Sequence, residues 1–446
     1  MIKNGFGLAV RLCAGFIVVA SLLLAGCSAP SRLQAVPSDQ AANVSVLGVT
    51  DIRYWGDESS PVLVAEGVAA YQRELAAFRA AGNSGPLPPA NYLAISGGGE
   101  NGAFGAGLLV GWTSAGTRPE FKLVTGISTG ALTAPFAFLG PSYDAQLKQV
   151  YTTISAKDVL DSRGLLAILT DDALASSEPL RRTLARYVTP SLMDAIGVEY
   201  AKGRLLLIGT TDLDQGRPVI WSISKLAASH APGALELIQD ILIASASIPG
   251  VFPPVMITVE AGGHTYNEMH VDGGASSQVF VYPPSLELAA AARTAGIVRQ
   301  RRLYVIRNAH LEPDPEEIKR SLFPIVNRSI SSLIQTQGVG DLYRIYVAAQ
   351  RDGIAFNLAS IPDTFTTELP EAFDTKYMNE LFQVGYNLAA KGNPWAKFPP
   401  GYQELGRSGA PAARSGPVTV TVTTEDRVMD LAVLSPGSSG ARTCHC

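Results

Sequence analysis

The pentapeptide Gly126-Ile127-Ser128-Thr129-Gly130 constrains the fold more than any other part of the chain. An apolar, strand-like run leads into it and small, helix-tolerant residues follow it, which is the order of a nucleophile elbow. Gly126 and Gly130 have no Cβ, so strand and helix can close tightly around Ser128. The start of a helix also favours developing negative charge. The alternative is an ordinary strand–helix turn with a serine cap, since glycine is frequent here (43 of 446 residues).

Composition describes a folded protein without a nucleic-acid partner. Hydrophobic residues make up 47% of the 446-residue chain and charged residues 17%, enough to bury a sizeable core. No block of lysine and arginine indicates binding to nucleic acid. The cysteines lie at positions 13, 27, 444 and 446, so the long middle of the chain has no thiolate metal site. Cys444-His445-Cys446 is expected to be a frayed tail end, and we predict neither a metal nor a cofactor.

The first 26 residues have the layout of a secretory signal peptide, with Lys3 and Arg11 before a short apolar run. They end in Leu24-Ala25-Gly26-Cys27, which resembles the bacterial lipobox. The resemblance implies processing by the lipoprotein maturation and sorting machinery, and an exported chain lipid-anchored at Cys27 to a bacterial cell membrane. Ser28 in the next position resembles lipoproteins sorted to an outer membrane. The alternative is an ordinary cleaved signal or an uncleaved anchor, with Cys27 incidental.

Three segments follow the signal peptide. Residues 27–87 are predicted to be a tether, up to about Pro61, followed by a helix whose apolar residues recur at spacings of three and four. Residues 88–400 alternate buried strands with helices, which is typical of a layered α/β domain with a mostly parallel sheet. Residues 401–446 are dominated by Gly, Ser, Ala, Pro and Arg and are expected to form a flexible C-terminal tail.

A glycine-rich loop follows the predicted strand Tyr92 to Ser96, with the sequence Gly97-Gly98-Gly99-Glu100-Asn101-Gly102. Successive glycines at a strand–helix turn can point several backbone N–H groups into one concavity that binds an anion. The loop formally matches a dinucleotide-binding pattern, but it lacks the ending of a P-loop, and no clear strand-end acid follows at the expected distance. An oxyanion hole fits better, because the serine turn follows one β–α step later.

A serine is a poor nucleophile until a base accepts its proton, and the chain offers two candidates. Asp272 follows a strand of alternating apolar residues and precedes Gly273 and Gly274, so its carboxylate could project from a strand end into a crevice. The alternative is an Asp-Gly turn that binds only its own backbone. His310 would complete a Ser-His-Asp set in the usual chain order, although its neighbours resemble a solvated surface loop.

Four blocks, in this order, resemble the patatin-like phospholipases: the glycine loop, the serine turn, the stretch Ala244 to Pro254, and Asp272-Gly273-Gly274. The resemblance covers about residues 90 to 275 and implies a three-layer α/β/α fold. It implies a dyad of Ser128 and Asp272 with no catalytic histidine. The oxyanion-hole residues that it implies are Gly97, Gly98 and Gly99, and the remaining motif glycines are Gly102, Gly126, Gly130, Gly273 and Gly274.

The family resemblance and the lipobox at Cys27 together imply a membrane-anchored serine acyl hydrolase, similar to phospholipase A or a lipase, with membrane lipids as substrate and anchor. Asn101 departs from the family pattern, which often has Arg or Lys after the glycines. A neutral amide cannot pair with a lipid phosphate as a cation does, so neutral lipids and other esters remain alternative substrates. A Ser-His-Asp esterase that uses His310 and a non-catalytic envelope lipoprotein are the alternative functions.

Overall fold

The computed structural model describes residues 32–162, 173–313, 315–402, 422–424 and 427–429. The predicted signal peptide, Cys27 and Cys444-His445-Cys446 lie outside the described residues, as does most of the predicted tail. The chain divides into two compact units, one ending at Pro400 and one beginning at Gly401. In the second unit the described residues are Gly401, Tyr402 and the antiparallel pair Val422–Thr424 and Arg427–Met429.

A mixed β-sheet forms the centre of the first unit. The strands are β1 (Arg53–Trp55), β2 (Ala90–Ile95), β3 (Leu123–Ile127), β4 (Asp161–Ser162), β5 (Ala175–Ser176), β6 (Leu205–Asp212), β7 (Arg217–Ser222), β8 (Val255–Ala261), β9 (His264–Asp272), β10 (Arg301–Arg307) and β11 (Ile354–Ser360). Among the described residues, β4 and β5 form a separate pair, and the other strands follow the order β1-β7-β6-β3-β2-β10-β11, with β9 joining β6 to β8. Strands β6, β3, β2, β10 and β11 are parallel neighbours, so their carboxyl ends meet at one edge.

Helices cover both faces of this sheet. They are α1 (Pro61–Ala80), α2 (Gly102–Ser114), α3 (Thr129–Leu139), α4 (Asp144–Thr153), α5 (Ala156–Val159), α6 (Glu178–Tyr187), α7 (Pro190–Ala201), α8 (Ile223–Ser229), α9 (Ala234–Ser245), α10 (Leu288–Thr294), α11 (Leu322–Arg351) and α12 (Thr375–Ala390). Side chains alternate between two cores: Leu93 and Ile95 pack with α2, α3, α9 and α12, whereas Ala94 packs with α11. The three-layer α/β/α architecture predicted from the sequence is therefore confirmed.

The segment before α1 is not the tether that the sequence predicts. Val36, Val44 and Ile52 are buried in the main core, and Arg53–Trp55 pairs with β7 as the edge strand β1. The apolar residues of this segment are isolated among polar ones, so they show no helix or strand period, and only their long-range partners reveal that they are buried. The domain therefore includes residues well before position 88, where the sequence placed its start.

A buried group of charges joins β1 to the β6–β9 pair. Arg53 Nη2 lies 3.0 Å from Glu268 Oε1 and 4.0 Å from Asp212 Oδ2, and all three side chains are buried. His270 Nε2 lies 3.1 Å from Glu268 Oε2, and its Nδ1 lies 3.0 Å from Thr210 Oγ1. Two carboxylates and an imidazole so placed could hold a metal ion, but the Arg53 guanidinium already supplies the positive charge among them. We therefore assign these buried charges a structural role: they hold β1 against β9, the strand that ends at Asp272.

Candidate active site

Ser128 lies on a sharp turn between β3 and α3, with φ of 55° and ψ of −125°. This conformation is strained for a residue with a side chain and costs on the order of 1–3 kcal/mol. The flanking glycines permit it: a Cβ on Gly126 would overlap the backbone of Gly130, and a Cβ on Gly130 would overlap the carbonyl of Ile95. The predicted elbow geometry around Ser128 is thus present, at the carboxyl edge of the parallel strands.

Ser245, the last residue of α9, holds the turn at Ser128 in place through two hydrogen bonds. The Ser128 amide donates a hydrogen bond to Ser245 Oγ (3.0 Å), and that hydroxyl donates to the carbonyl of Gly209 on β6 (2.6 Å). The Ser128 amide is therefore already paired and does not face a bound substrate. Sequence reasoning placed Ser245 within a family block but gave it no role, because its partners are distant along the chain.

Tyr151 on α4 fixes the first turn of α3. Its hydroxyl donates to the carbonyl of Thr129 (2.9 Å) and lies 2.7 Å and 2.9 Å from the hydroxyls of Thr129 and Thr133. All three side chains are buried. The helix that begins directly after Ser128 is thus held against α4 by a hydroxyl network that the sequence analysis missed, since no motif marks it.

Asp272 ends β9 and meets Ser128. The Ser128 hydroxyl donates a hydrogen bond to its carboxylate, and the amide of Gly274 donates to Oδ1 (2.7 Å). The Asp272 amide donates to the carbonyl of Ser247 (2.9 Å), two residues after Ser245. Burial raises the pKa of Asp272 to about 7, while the hydrogen bonds from Ser128 and Gly274 act in the opposite direction. A carboxylate in this state can accept a proton near neutral pH.

The glycine loop follows β2 and lies against the serine. A Cβ on Gly97 would lie 3.2 Å from Ser128 Cβ, so the glycine loop packs closely against the serine side chain. Gly98 has φ of 155°, and a Cβ there would overlap the carbonyl of Asn308. The Gly97 amide donates to the carbonyl of Gln278 (3.1 Å). No acceptor among the described residues pairs with the amides of Gly98 and Gly99, so these two remain for an oxyanion.

Asn308, directly after β10, holds the glycine loop in place through three hydrogen bonds. Its side-chain amide donates to the Ser96 carbonyl (2.9 Å), its backbone amide donates to Ser96 Oγ (2.8 Å), and its Oδ1 accepts from the Gly105 amide (3.1 Å). The side chain is fully buried. A loop whose amides must point at a developing charge gains preorganisation from such bonds. Sequence reasoning did not find Asn308, because its partners, Ser96 directly after β2 and Gly105 on α2, are distant along the chain.

An apolar cavity of about 90 Å³ opens beside Ser128. Its walls come from α3, α4, α6, α12 and the segment after α9, and include Leu132, Phe136, Leu184, Tyr187, Phe252 and Met378. Glu100 and Gly99 lie in the same lining, and burial raises the pKa of Glu100. The cavity therefore has one polar end, at the serine and the glycine loop, and apolar walls elsewhere.

The structure brings together the predicted serine, aspartate and glycine loop but gives His310 other surroundings. His310 Nδ1 lies 4.0 Å from the exposed Asp363 carboxylate, and Gln335 donates to its backbone carbonyl. Asn101 accepts a hydrogen bond from the Tyr377 hydroxyl (2.7 Å). The other motif glycines also permit close approach, because a Cβ on Gly102 or Gly273 would overlap Thr129 Oγ1 or the Gly209 carbonyl.

Strand, strained serine turn, glycine loop and buried carboxylate are the parts from which a serine acyl hydrolase of α/β architecture is built. Residues 93–284 match the family model of the patatin-like phospholipases. This part of the chain is therefore a patatin-like phospholipase domain, as the order of its motifs indicates.

Two solved structures are similar to the chain at low sequence identity. The crystal structure of VipD from Legionella pneumophila is 12% identical with a TM-score of 0.35, over 68% of this chain and 66% of VipD. The crystal structure of the type III effector protein ExoU is 11% identical with a TM-score of 0.29, over 68% of this chain and 52% of ExoU. The chain thus spans just under two thirds of VipD and about half of ExoU. No curated protein sequence matches it.

The raised pKa of Asp272 predicts a specific pH dependence of stability. A carboxyl with pKa about 7 in the folded chain and about 3.9 in the unfolded chain stabilises the fold below pH 4, and this contribution is lost as pH rises to 7. We expect Asp272→Asn to raise the free energy of unfolding at pH 8 by up to about 4 kcal/mol, with little change at pH 4. Urea unfolding of both proteins at pH 8 and pH 4 measures this difference in the free energy of unfolding.

The matched control is Asp39→Asn, an exposed aspartate before β1, which should change stability by less than about 0.5 kcal/mol at either pH. Equal stability of wild type and Asp272→Asn at pH 8 would contradict the desolvated state of the carboxylate.

Proposed function

We propose that the chain is a membrane-anchored hydrolase that cleaves lipid acyl esters through a dyad of Ser128 and Asp272. The observation that carries this proposal is the hydrogen bond from the Ser128 hydroxyl to a buried carboxylate whose pKa is about 7. An aspartate in water would be a weak base at neutral pH, and desolvation removes that obstacle. The described contacts of His310 offer no comparable link to the serine.

Each chemical step then has a group to perform it. Asp272 accepts the Ser128 proton as Oγ attacks the acyl carbon, and the amides of Gly98 and Gly99 donate to the oxyanion. The protonated carboxyl returns its proton to the leaving alcohol, which leaves an acyl-serine. Water, deprotonated by Asp272, then attacks the acyl carbon, the bond from that carbon to Ser128 Oγ breaks, and the Asp272 carboxyl returns the proton to Oγ as the fatty acid leaves. The Ser128 amide is held by Ser245, so its bond keeps the nucleophile in place instead of binding the oxyanion.

A fluorophosphonate probe and an ester assay on the folded protein distinguish the proposed dyad from the Ser-His-Asp esterase and from the non-catalytic lipoprotein. Ser128→Ala should abolish labelling, and Ser128→Ala and Asp272→Asn should each lower kcat/KM by at least about 10³-fold, since each removes a group used in the reaction. His310→Ala should retain activity within about twofold. Loss of activity in His310→Ala as well as in Ser128→Ala would favour the Ser-His-Asp esterase. No labelling of folded wild type would favour a non-catalytic lipoprotein.

The apolar cavity beside Ser128 supports an acyl chain as the part of the substrate that is bound. A fatty acyl group with its carbonyl at Ser128 would extend among side chains such as Leu132, Leu184 and Phe252, which have no polar atoms. Burial of each methylene contributes about 0.8 kcal/mol to the free energy of binding. The depth of such a cavity therefore sets which acyl-chain length binds best. The polar end at the glycine loop faces the carbonyl of the ester.

A bulky residue in this cavity should change chain-length preference. We expect Leu184→Trp to lower kcat/KM for long-chain esters by about tenfold or more while changing that for acetate or butyrate esters by less than about twofold. The same substitution at Leu213, which is exposed and outside the cavity lining, is the control. A uniform loss over all chain lengths in Leu184→Trp would argue against acyl binding there.

Membrane anchoring rests on Cys27 and is supported by the surface of α11. The first half of this helix exposes six apolar side chains at helical spacing: Leu322, Ile325, Val326, Ile330, Leu333 and Ile334. The helix begins after β10, at the same edge of the sheet as Ser128. An apolar surface at that edge is suited to contact with lipid. Among the described residues, no helix is both long enough and apolar enough to cross a membrane.

Lipidation at Cys27 predicts incorporation of a clickable fatty acid into the expressed chain. The label should be present in wild type and in Ser128→Ala, which excludes an acyl-enzyme as its source, and absent in Cys27→Ala. Labelling that persists in Cys27→Ala would refute the anchor.

A further inference from the structure

A second apolar cavity, of about 150 Å³, lies between α1 and α10 and is called the α1–α10 cavity below. It is larger than the cavity of about 90 Å³ beside Ser128. Its floor comes from the amino-terminal halves of β2, β3 and β6, with Tyr92, Leu123, Leu205 and Leu207. Ser128 follows the other end of β3, about 16 Å from Leu123 along the strand. The α1–α10 cavity is therefore remote from the catalytic groups.

The two cavities lie on opposite faces of the sheet. Leu207 packs with Leu63 of α1, whereas its neighbours Leu206 and Ile208 belong to the core that contains α3. Successive side chains of a strand point to opposite faces, so the sheet itself separates the α1–α10 cavity from the cavity beside Ser128. A ligand in one does not reach the other.

Helix α1 leaves room for a ligand at this place. Gly67, in the middle of the helix, lines the cavity, and nothing lies within 4 Å of the position that its Cβ would take. A Cβ on Gly203, by contrast, would overlap the carbonyl of Ala70, so α1 lies close against the residues just before β6. The opening is thus local. The apolar side chains of α1 that border it are half buried: Val64, Val68 and Tyr71.

The charged residues around the cavity leave one cation without a carboxylate. Glu74 is bound by Arg299 (2.5 and 2.8 Å) and by Lys122 (3.0 Å). Arg301, the first residue of β10, also lines the cavity, and no carboxylate of the described residues pairs with its guanidinium. The Tyr92 hydroxyl, in the same lining, accepts a hydrogen bond from that guanidinium. An apolar cavity with such a cation at its edge is complementary to a ligand with an anionic head and an apolar body.

We propose that the α1–α10 cavity binds a long-chain fatty acid, with its carboxylate at Arg301 and its alkyl chain between the two helices. A guanidinium offers paired N–H donors to one carboxylate, and the Tyr92 hydroxyl can donate to the same head. The part of α1 that lines the cavity, from Leu63 to Glu74, is about 16 Å long, which suits an extended chain. A fatty acid is also what the proposed hydrolysis releases, but binding here requires neither Ser128 nor Asp272.

A photoreactive palmitate analogue with a diazirine in its alkyl chain tests the location of the site. Irradiated with the folded protein, below the critical micelle concentration, it should label peptides of α1 and α10. Arg301→Gln should lower this labelling by about tenfold or more, since it removes the charge that holds the carboxylate. The control is Arg302→Gln, an exposed arginine outside the lining whose side chain points to the other face of β10. Label confined to α3 and α6, which border the cavity beside Ser128, would overturn the proposal.

Gly67→Leu tests the apolar part of the site. Its side chain should occupy the open space beside α1 and lower the labelling of α1 and α10 by about tenfold or more. The Tm should not fall, because leucine favours a helix more than glycine does. Ala65→Leu, on the same helix but exposed and outside the lining, should label as wild type does. Unchanged labelling in Gly67→Leu would count against an alkyl chain between the helices.

Competition with hexadecanol, which has the same chain length and no carboxylate, tests the head group. In wild type, palmitate should displace the probe at a concentration at least about tenfold lower than hexadecanol does. In Arg301→Gln, at a higher probe concentration, the two should compete equally, which also shows that the cavity is still formed. Equal competition in wild type would overturn the role of Arg301.

This inference and the proposed function fail separately. Ser128→Ala should be labelled on α1 and α10 as wild type is, because the serine lies on the other side of the sheet. A wild type that cleaves no ester but is labelled there would refute the hydrolase and support the fatty-acid site. An active enzyme without label on α1 and α10 would refute the fatty-acid site alone.

Discussion

The hydrogen bond between the Ser128 hydroxyl and the buried Asp272 carboxylate is the contact on which the site depends. Desolvation raises the pKa of Asp272 to about 7, and in the proposed mechanism this makes the aspartate basic enough to act without a histidine. Desolvation of an ionised carboxylate destabilises the fold, and the strained φ of Ser128 adds to that cost. The surrounding structure must therefore hold both residues firmly, and the stretch Ala244 to Ser247 does so.

That stretch links the two halves of the dyad. Ser245 accepts the amide of Ser128, and the carbonyl of Ser247 accepts the amide of Asp272. Strand β6 joins the same assembly, because its Gly209 carbonyl accepts from Ser245 and its Thr210 is paired with Asp272. The buried ion pair of Arg53 and Glu268 fixes β9 further along. Small errors in the position of a nucleophile lower its reactivity strongly, so these backbone bonds serve the chemistry as well as the fold.

Local sterics explain which parts of the site were predictable from the sequence. The elbow and the glycine loop could be predicted from short motifs. Their glycines permit close contacts within one strand–helix turn or between neighbouring strands, which a Cβ would prevent. The pairing of Asp272 with Ser128 came only from the family resemblance, because no local signal separates a base from an Asp-Gly turn. Ser245 lies 117 residues from its partner Ser128, and Asn308 lies 212 residues from Ser96. Bonds at such separations depend on tertiary packing, and the burial of the segment before α1 was missed for the same reason.

The apolar cavity and the base are physically coupled. Ala246 and Phe252, which line the cavity, come from the same segment that holds Ser128 and Asp272 through Ser245 and Ser247. An acyl chain in the cavity would displace water from beside the dyad, and a drier carboxylate is a stronger base. The bound lipid would thereby complete the desolvation that the fold begins, so a longer acyl chain should improve the chemical step as well as binding. In the proposed mechanism, a water-soluble ester with a short chain would leave part of that space hydrated, so Asp272 would be a weaker base during its cleavage.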